Sequence, residues 1–354
     1  MRKIACVELL RFISALMVII WHYQQFYLPY NFFSDVQILS DNRYEQPFYE
    51  YLSLFYNYGN SGVDFFFLIS GYVFSYVYLL DKTNINFKNF FVNRFARLYP
   101  LHLLTLFVVL LLQIYSNEKY NNFFIHTFND LYHFLLNLFF ISGWGFEKGP
   151  SFNGPIWSVS IEIIIYFLFF FLIIKINKNR VINSVLLILS LVFLQKFIHE
   201  DVSRYINFRL VNCGLLFFEG VLVFYISKAI KKNSFLFLLG LTLFILSFIG
   251  NFKIYIFLPS ILLIFLSTES LIKNKLASLF NFLGNLTYGT YLWHLPIQVL
   301  LMIIIKDSRL DYTLIDTKVF FLIYILLVFS ISTLSYYFFE LKLRRLIRKK
   351  FTDT

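Results

Sequence analysis

The sequence predicts an all-α fold: a polytopic transmembrane helical bundle of about ten spans, with both termini cytoplasmic. Three observations predict it. Of 354 residues, 59% are hydrophobic and 14% charged, more apolar surface than a water-facing domain carries. Apolar runs near twenty residues recur, each long enough at about 1.5 Å per residue to cross a hydrocarbon core of about 30 Å. Lys and Arg also alternate in density: twenty fall in segments assigned inside and ten in outside segments or outer helix ends, while Arg11 lies within a span. That is the bias expected of cytoplasmic loops. The net charge of +11 therefore marks topology rather than nucleic-acid binding, since the basic residues sit at helix ends and form no soluble basic face.

Taken in order, the first span covers 4–23. It is polar inside and ends in WHY rather than a small-residue cleavage site, so it stays as a working helix and is not a removable signal. Span 60–80 opens at GNSGVD, and 98–115 follows the basic stretch NFFVNRFARLYP. Spans 155–176 and 181–198 flank an inside turn marked by Lys175, Lys178 and Arg180; 208–227 ends at Lys228. Spans 235–250 and 252–269 lead to Lys273 and Lys275, and 284–306 and 318–341 complete the set. Leu131 to Trp144 is too short for a span, and counting it would put the KLRRLIRKK tail outside. It is expected to be an interfacial or re-entrant segment. Residues 1–341 thus form one transmembrane domain. Residues 342–354 form a short basic cytoplasmic tail, and the amphipathic run Leu341 to Lys350 reads as an anchor on anionic lipid. Cys6 and Cys213 fall inside spans and read as small core residues.

Polar residues inside the spans are the candidates for chemistry, because a charge near a helix centre costs about 2.5–3.5 kcal/mol on insertion scales and usually has a task. Arg11 and His22 are eleven residues apart, so they share one helix face at about 16 Å separation. The alternative is an Arg held by Glu8 and an interfacial His. Asp64 and Glu162 enter their spans from the same outer end as His22, and a carboxylate beside an imidazole makes a general base. Helix capping by Asp64 and pairing of Glu162 with a neighbouring span remain open.

On the inner side, Arg94 and Arg97 make a compact two-guanidinium patch suited to phosphates, preceded by Lys82 and Lys88; an ordinary positive-inside anchor is the alternative. Tyr288, Tyr291 and His294 follow at i, i+3 and i+6, with Pro296 expected to kink the helix. They either pack or line a cavity. His102 reads as a hydrogen-bonded helix residue, Glu219 is a further buried acid, and His126, His133 and His199 lack metal-ligand spacing. No phosphate-binding glycine loop, GxSxG or serine triad signature appears, and no metal site is expected. An inner arginine patch, an intramembrane Arg and an outer His with acids suit a donor inside and an acceptor outside.

The segments VELLRFISALMVIIWHY, GNSGVDFFFLISGYVFS, FFVNRFARLYPLHLL, GPIWSVSIEIIIYF and LGNLTYGTYLWHLPI, in that order, resemble the acyltransferase 3 family of integral-membrane acyltransferases. The matching positions are Arg11 with His22, Asp64, Arg94 with Arg97 and Pro100, and Trp157 with Glu162. The tail departs from the family pattern of Glu, then Arg or Lys, then Pro: it reads Glu340, Leu341, Lys342. The resemblance is to the form without the C-terminal esterase-like (SGNH-type) domain of larger relatives.

The resemblance implies transfer of an acyl group, usually acetyl from acetyl-CoA, to a hydroxyl of a polysaccharide or lipid-linked glycan such as capsule or O-antigen, in the bacterial cytoplasmic membrane. By that analogy His22 is base or acyl carrier, assisted by Asp64, Glu162 and Arg11. Arg94 and Arg97 hold the CoA phosphates, and Trp157, Tyr288, Tyr291 and His294 line the substrate site. The expected partners are membrane lipid and the glycan acceptor, with a second copy of the chain or glycan-assembly proteins left open, and no nucleic acid. The competing reading is a transporter or flippase for a glycan precursor, which forms no covalent product.

Overall fold

The computed structural model describes residues 3–30, 45–80, 86–175, 179–197, 208–249 and 253–352. Lys82, His199 and residues 31–44 of the first outer loop lie outside the described residues. All regular structure among the described residues is helical. In chain order it comprises α1 (Ala5–His22), α2 (Tyr49–Tyr58), α3 (Ser61–Tyr78), α4 (Phe87–Tyr120) and α5 (Leu131–Leu138). There follow α6 (Ile156–Leu168), α7 (Arg180–Phe197), α8 (Phe208–Ala229), α9 (Asn233–Leu246) and α10 (Lys253–Thr268). The last three are α11 (Asn274–Asp307), α12 (Lys318–Ser335) and α13 (Leu341–Phe351). Each of the ten expected spans falls on one of these helices.

Among the described residues seven helical stretches are long and apolar enough to cross a membrane; α9 and most of α7 are shorter apolar helices. Many large apolar side chains on α9 and α12 and just beyond them, such as Phe248, Val319, Leu326 and Phe338, point outward, which suits contact with lipid tails. The helices overrun the expected spans where the sequence turns polar. Helix α4 has 34 residues rather than the 18 expected, about 51 Å of length against about 30 Å of hydrocarbon. The first turns of α4, which carry Arg94 and Arg97, thus extend a membrane-length helix. Helix α5 has only 8 residues, begins with Asp130 accepting from the His133 N–H, and exposes Leu131, Leu135 and Phe139. At about 12 Å it cannot cross a bilayer, in keeping with the interfacial or re-entrant expectation.

The chain divides into two compact units: Met1–Ser14, Ser61–Ile85 and Ile161–Asn285 form the first; Ala15–Asn60, Asn86–Ser160 and Leu286–Thr354 form the second. In the first, α3 packs along α8, and α8 also receives α7 and α10. The α3–α8 approach depends on two glycines: a Cβ on Gly71 would overlap the Phe217 carbonyl, and one on Gly220 the Leu68 carbonyl. Small residues at such crossings let backbones meet without a hydrophobic driving force from water. In the second unit the core lies directly beyond His22. Tyr23 packs 5.7 Å from Tyr324 and 5.1 Å from Phe321, ring centre to ring centre, and Phe26 packs 5.4 Å from Tyr324. The Tyr23 hydroxyl donates to the Ile315 carbonyl at 2.6 Å. This aromatic block fixes the end of α1, and with it the histidine one residue earlier.

Candidate active site

His22 is the last residue of α1, half-buried. Its Nδ1 lies 2.8 Å from the Val18 carbonyl, one turn back. A carbonyl only accepts, so Nδ1 carries the proton, and in the neutral ring Nε2 keeps its lone pair. A helix end leaves its last carbonyls without partners; here Gln298 Nε2 donates to the His22 carbonyl at 2.7 Å. The ring is flanked by Trp21, edge-on at 4.8 Å between ring centres, and by His294, tilted at 4.9 Å. His294 is fully buried, and neither of its ring nitrogens forms a well-shaped hydrogen bond among the described residues. His126 also interacts electrostatically with His22; together with burial, the larger cause, this pushes its imidazole down to about 3. His126 thus stays neutral near pH 7. Among the described residues no group of three or more His, Cys, Asp or Glu side chains is arranged to hold a metal ion.

The segment before α6 is docked onto α11 through a consequence of proline chemistry. Pro296 has no N–H, so the Leu292 carbonyl four residues earlier loses its helical donor. Asn153 replaces it, its Nδ2 donating to the Leu292 carbonyl at 3.0 Å and to Thr105 Oγ1 at 3.1 Å. Tyr291 fastens the next residues: its hydroxyl donates to the Pro155 carbonyl at 2.9 Å and lies 2.8 Å from Ser158 Oγ. Next to Asn153, Gly154 faces His126, and a Cβ there would overlap the His126 ring. Trp157 is half-buried at the start of α6. Tyr288 is directed elsewhere, donating to the Leu98 carbonyl of α4 at 2.6 Å. Of the four expected substrate-lining residues, His294 therefore flanks His22, Tyr291 braces the segment leading to Trp157, and Tyr288 joins α11 to α4.

Arg94 and Arg97 occupy the early part of α4, both half-buried. Helix α13 packs along α4, and Glu340 just before it interacts with Arg97 and Arg344. His102 on α4 is the hydrogen-bonded helix residue expected, its Nε2 lying 2.8 Å from the Asn137 carbonyl of α5. His133 donates from Nδ1 to Asp130 at 2.7 Å and accepts the Lys148 N–H on Nε2 at 3.1 Å, a structural role in the outer segment.

The remaining candidates belong to the first unit. Arg11 Nη1 donates to Glu8 Oε2 at 3.0 Å, and Lys3 Nζ lies 3.8 Å from the same oxygen. Asp64 Oδ1 accepts from Asn212 Nδ2 at 2.7 Å, and Asn212 Oδ1 accepts from the Tyr255 hydroxyl at 2.9 Å. Cys213 lies within electrostatic reach of both Asp64 and Glu162, so the two acids share one region of this unit. Glu219 is half-buried on α8.

Sequence reasoning missed Gln298, Asn153, Asn212 and the neighbourhood of His126. Gln298 was findable: it lies four residues after His294, on the same helix face. The Pro296 gap at Leu292 was also foreseeable, but not that Asn153 fills it.

No curated protein and no solved structure matches the chain. The acyltransferase-domain family, acyltransferase 3, matches residues 4–337, which include every candidate site residue described above except Glu340 and Arg344. With its membrane-length apolar helices, the chain belongs to the acyltransferase 3 family and is a membrane acyltransferase.

Proposed function

We propose that this acyltransferase moves an acyl group, acetyl in the first place, from cytoplasmic acyl-CoA to a hydroxyl of a surface polysaccharide or lipid-linked glycan, in the bacterial cytoplasmic membrane. The observation that carries the reading is the bond from His22 Nδ1 to the Val18 carbonyl, which leaves Nε2 as a proton acceptor on a half-buried residue. In the direct route Nε2 takes the proton of the acceptor hydroxyl as its oxygen attacks the thioester carbonyl. The carbon–sulfur bond breaks, and the sulfur leaves as thiolate and regains a proton from the imidazolium, giving CoA thiol and an ester. In the relayed route Nε2 attacks the thioester carbonyl first, and the carbon–sulfur bond breaks to release CoA thiolate. The acceptor hydroxyl then attacks the acyl carbon, its carbon–nitrogen bond to Nε2 breaks, and the hydroxyl proton passes to the thiolate, giving CoA thiol and an ester. Arg94 and Arg97 grip the donor phosphates as bidentate cations.

The test is release of free CoA thiol by the purified full-length protein supplied with acetyl-CoA and a glycan acceptor. Acceptor-dependent release that disappears in His22→Ala supports the reading. Release that persists in that variant removes His22 from the chemistry. In the same assay Arg94→Gln with Arg97→Gln should raise the KM for acetyl-CoA about tenfold or more, because charge-assisted contacts to phosphate are lost. An unchanged KM returns the pair to a topological role.

A further inference from the structure

Helix α13 does not behave as a loose tail. It continues α12 through a π-helical turn at Tyr336–Glu340 and lies against α4, the helix that carries Arg94 and Arg97. Its basic residues divide between two environments. Lys342, Arg345, Arg348, Lys349 and Lys350 are exposed, whereas Arg344 is half-buried beside Leu343 and Ile347. Arg348 follows Arg344 by four residues, on the same helix face. Arg344 is within electrostatic reach of Arg348 and, across the helix contact, of Arg94. Glu340 links the set by facing both Arg97 and Arg344.

The charge of this cluster is one-sided. Over residues 86–117 and 318–352 the only acid is Glu340. Across two packed helices, Arg344 thus lies within electrostatic reach of two other guanidinium groups, Arg94 and Arg348, and Glu340 is shared between Arg344 and Arg97. Like charges held together repel, and the arrangement becomes favourable once a multivalent anion enters. Guanidinium pairs are suited to phosphate because their forked donors match its oxygens. A lipid anchor would direct its basic residues away from the protein; Arg344 is half-buried instead, and the exposed Arg348 is tied to it electrostatically.

We propose that Arg344 and Arg348 join Arg94 and Arg97 in one cradle for the phosphates of the acyl-CoA donor, so that the last helix is part of the donor site. The donor offers a diphosphate and a separate ribose phosphate, and the cradle offers one arginine pair from each helix. This inference rests on the reading of Arg94 and Arg97 as the donor grip. Glu340, which interacts with both Arg97 and Arg344, is a positioning residue that holds the two helices' arginines together against their mutual repulsion when the cradle is empty.

The experiment compares full-length wild type with three double variants in phosphatidylcholine nanodiscs: R344Q/R348Q, R94Q/R97Q and, as a control on the same helix, R345Q/K349Q. Transfer is measured with acetyl-CoA and with acetyl-pantetheine, which lacks the phosphates. R344Q/R348Q should raise the KM for acetyl-CoA about tenfold, leave acetyl-pantetheine turnover unchanged, and differ from R345Q/K349Q, which should match wild type. If R344Q/R348Q does not fold, R348Q alone, at an exposed position, should raise the same KM about threefold. A wild-type KM in R344Q/R348Q beside a weakened R94Q/R97Q overturns the inference and leaves the donor reading standing. An unchanged KM in both overturns the donor reading as well. A loss shared equally with R345Q/K349Q, and appearing only when phosphatidylglycerol is added, identifies a lipid headgroup as the phosphate bound and overturns the inference.

Discussion

Asp64 and His22 are both polar groups on otherwise apolar helices, and they are held in opposite ways. Asp64 is tied by a side chain from α8, which is tied in turn by one from α10: Tyr255 donates to Asn212, and Asn212 donates to Asp64. Three helices are cross-linked through one acid. His22 takes its bond from its own backbone turn, through Val18, and leaves a nitrogen over. A group whose bond reaches across helices is placed to hold packing, because its loss takes the acceptor from the half-buried Asn212 amide that Tyr255 also holds. A group fixed locally, with a lone pair still available, suits the proton transfer proposed for His22.

The largest expected effect is at His22. Replacement by Ala should lower transfer by about 10²–10⁴-fold, the range for a general acid–base group, while the protein still inserts and melts normally. A loss below tenfold would erase the contrast with Asp64. Next is Asn153→Ala, which leaves the Leu292 carbonyl buried without a donor and should cost about 1–3 kcal/mol of stability, read as a lower melting temperature in detergent. No change in melting would mean that Pro296 is tolerated without Asn153.

The third effect is a pH dependence at His126. Its folded value is about 3 against an ordinary 6.5, so on acidification the unfolded chain takes the proton first. Stability is therefore complete above about pH 6.5 and falls toward pH 3 by up to about 1.4 kcal/mol per unit. His126→Gln should flatten the difference in melting between pH 7 and pH 5, and an unaltered slope would assign the acid sensitivity elsewhere. The smallest effect is expected at Asp64→Asn. The new amide oxygen can still accept from Asn212, so transfer should stay within about tenfold of wild type, about 1.4 kcal/mol. A loss matching His22→Ala would place Asp64 in the chemistry and break the comparison.

The spans were legible because membrane burial writes itself as length: repeated apolar runs of about twenty residues are what a hydrocarbon core demands and a water-facing domain does not. The helix ends were not. Helix α4 begins at Phe87 rather than near Leu98, because charged and amphipathic residues end a hydrophobic count without ending a helix. For the same reason Leu341–Phe351 reads as a tail in the sequence, where the structure continues the helix and lays it against α4. Within the site, Arg11 with Glu8 could be read from spacing alone, since i and i+3 meet on any helix. Asn153 with Leu292, and Arg344 with Arg94, join residues more than a hundred positions apart, and no local pattern specifies such partners.

The most direct measurement is ester-linked acetyl released by mild alkali from surface glycan, in cells carrying wild type, His22→Ala or Asp64→Asn at equal membrane abundance. The account predicts acetyl from wild type and Asp64→Asn and none from His22→Ala. Equal acetyl in all three, with glycan export altered instead, would contradict it and favour a transporter.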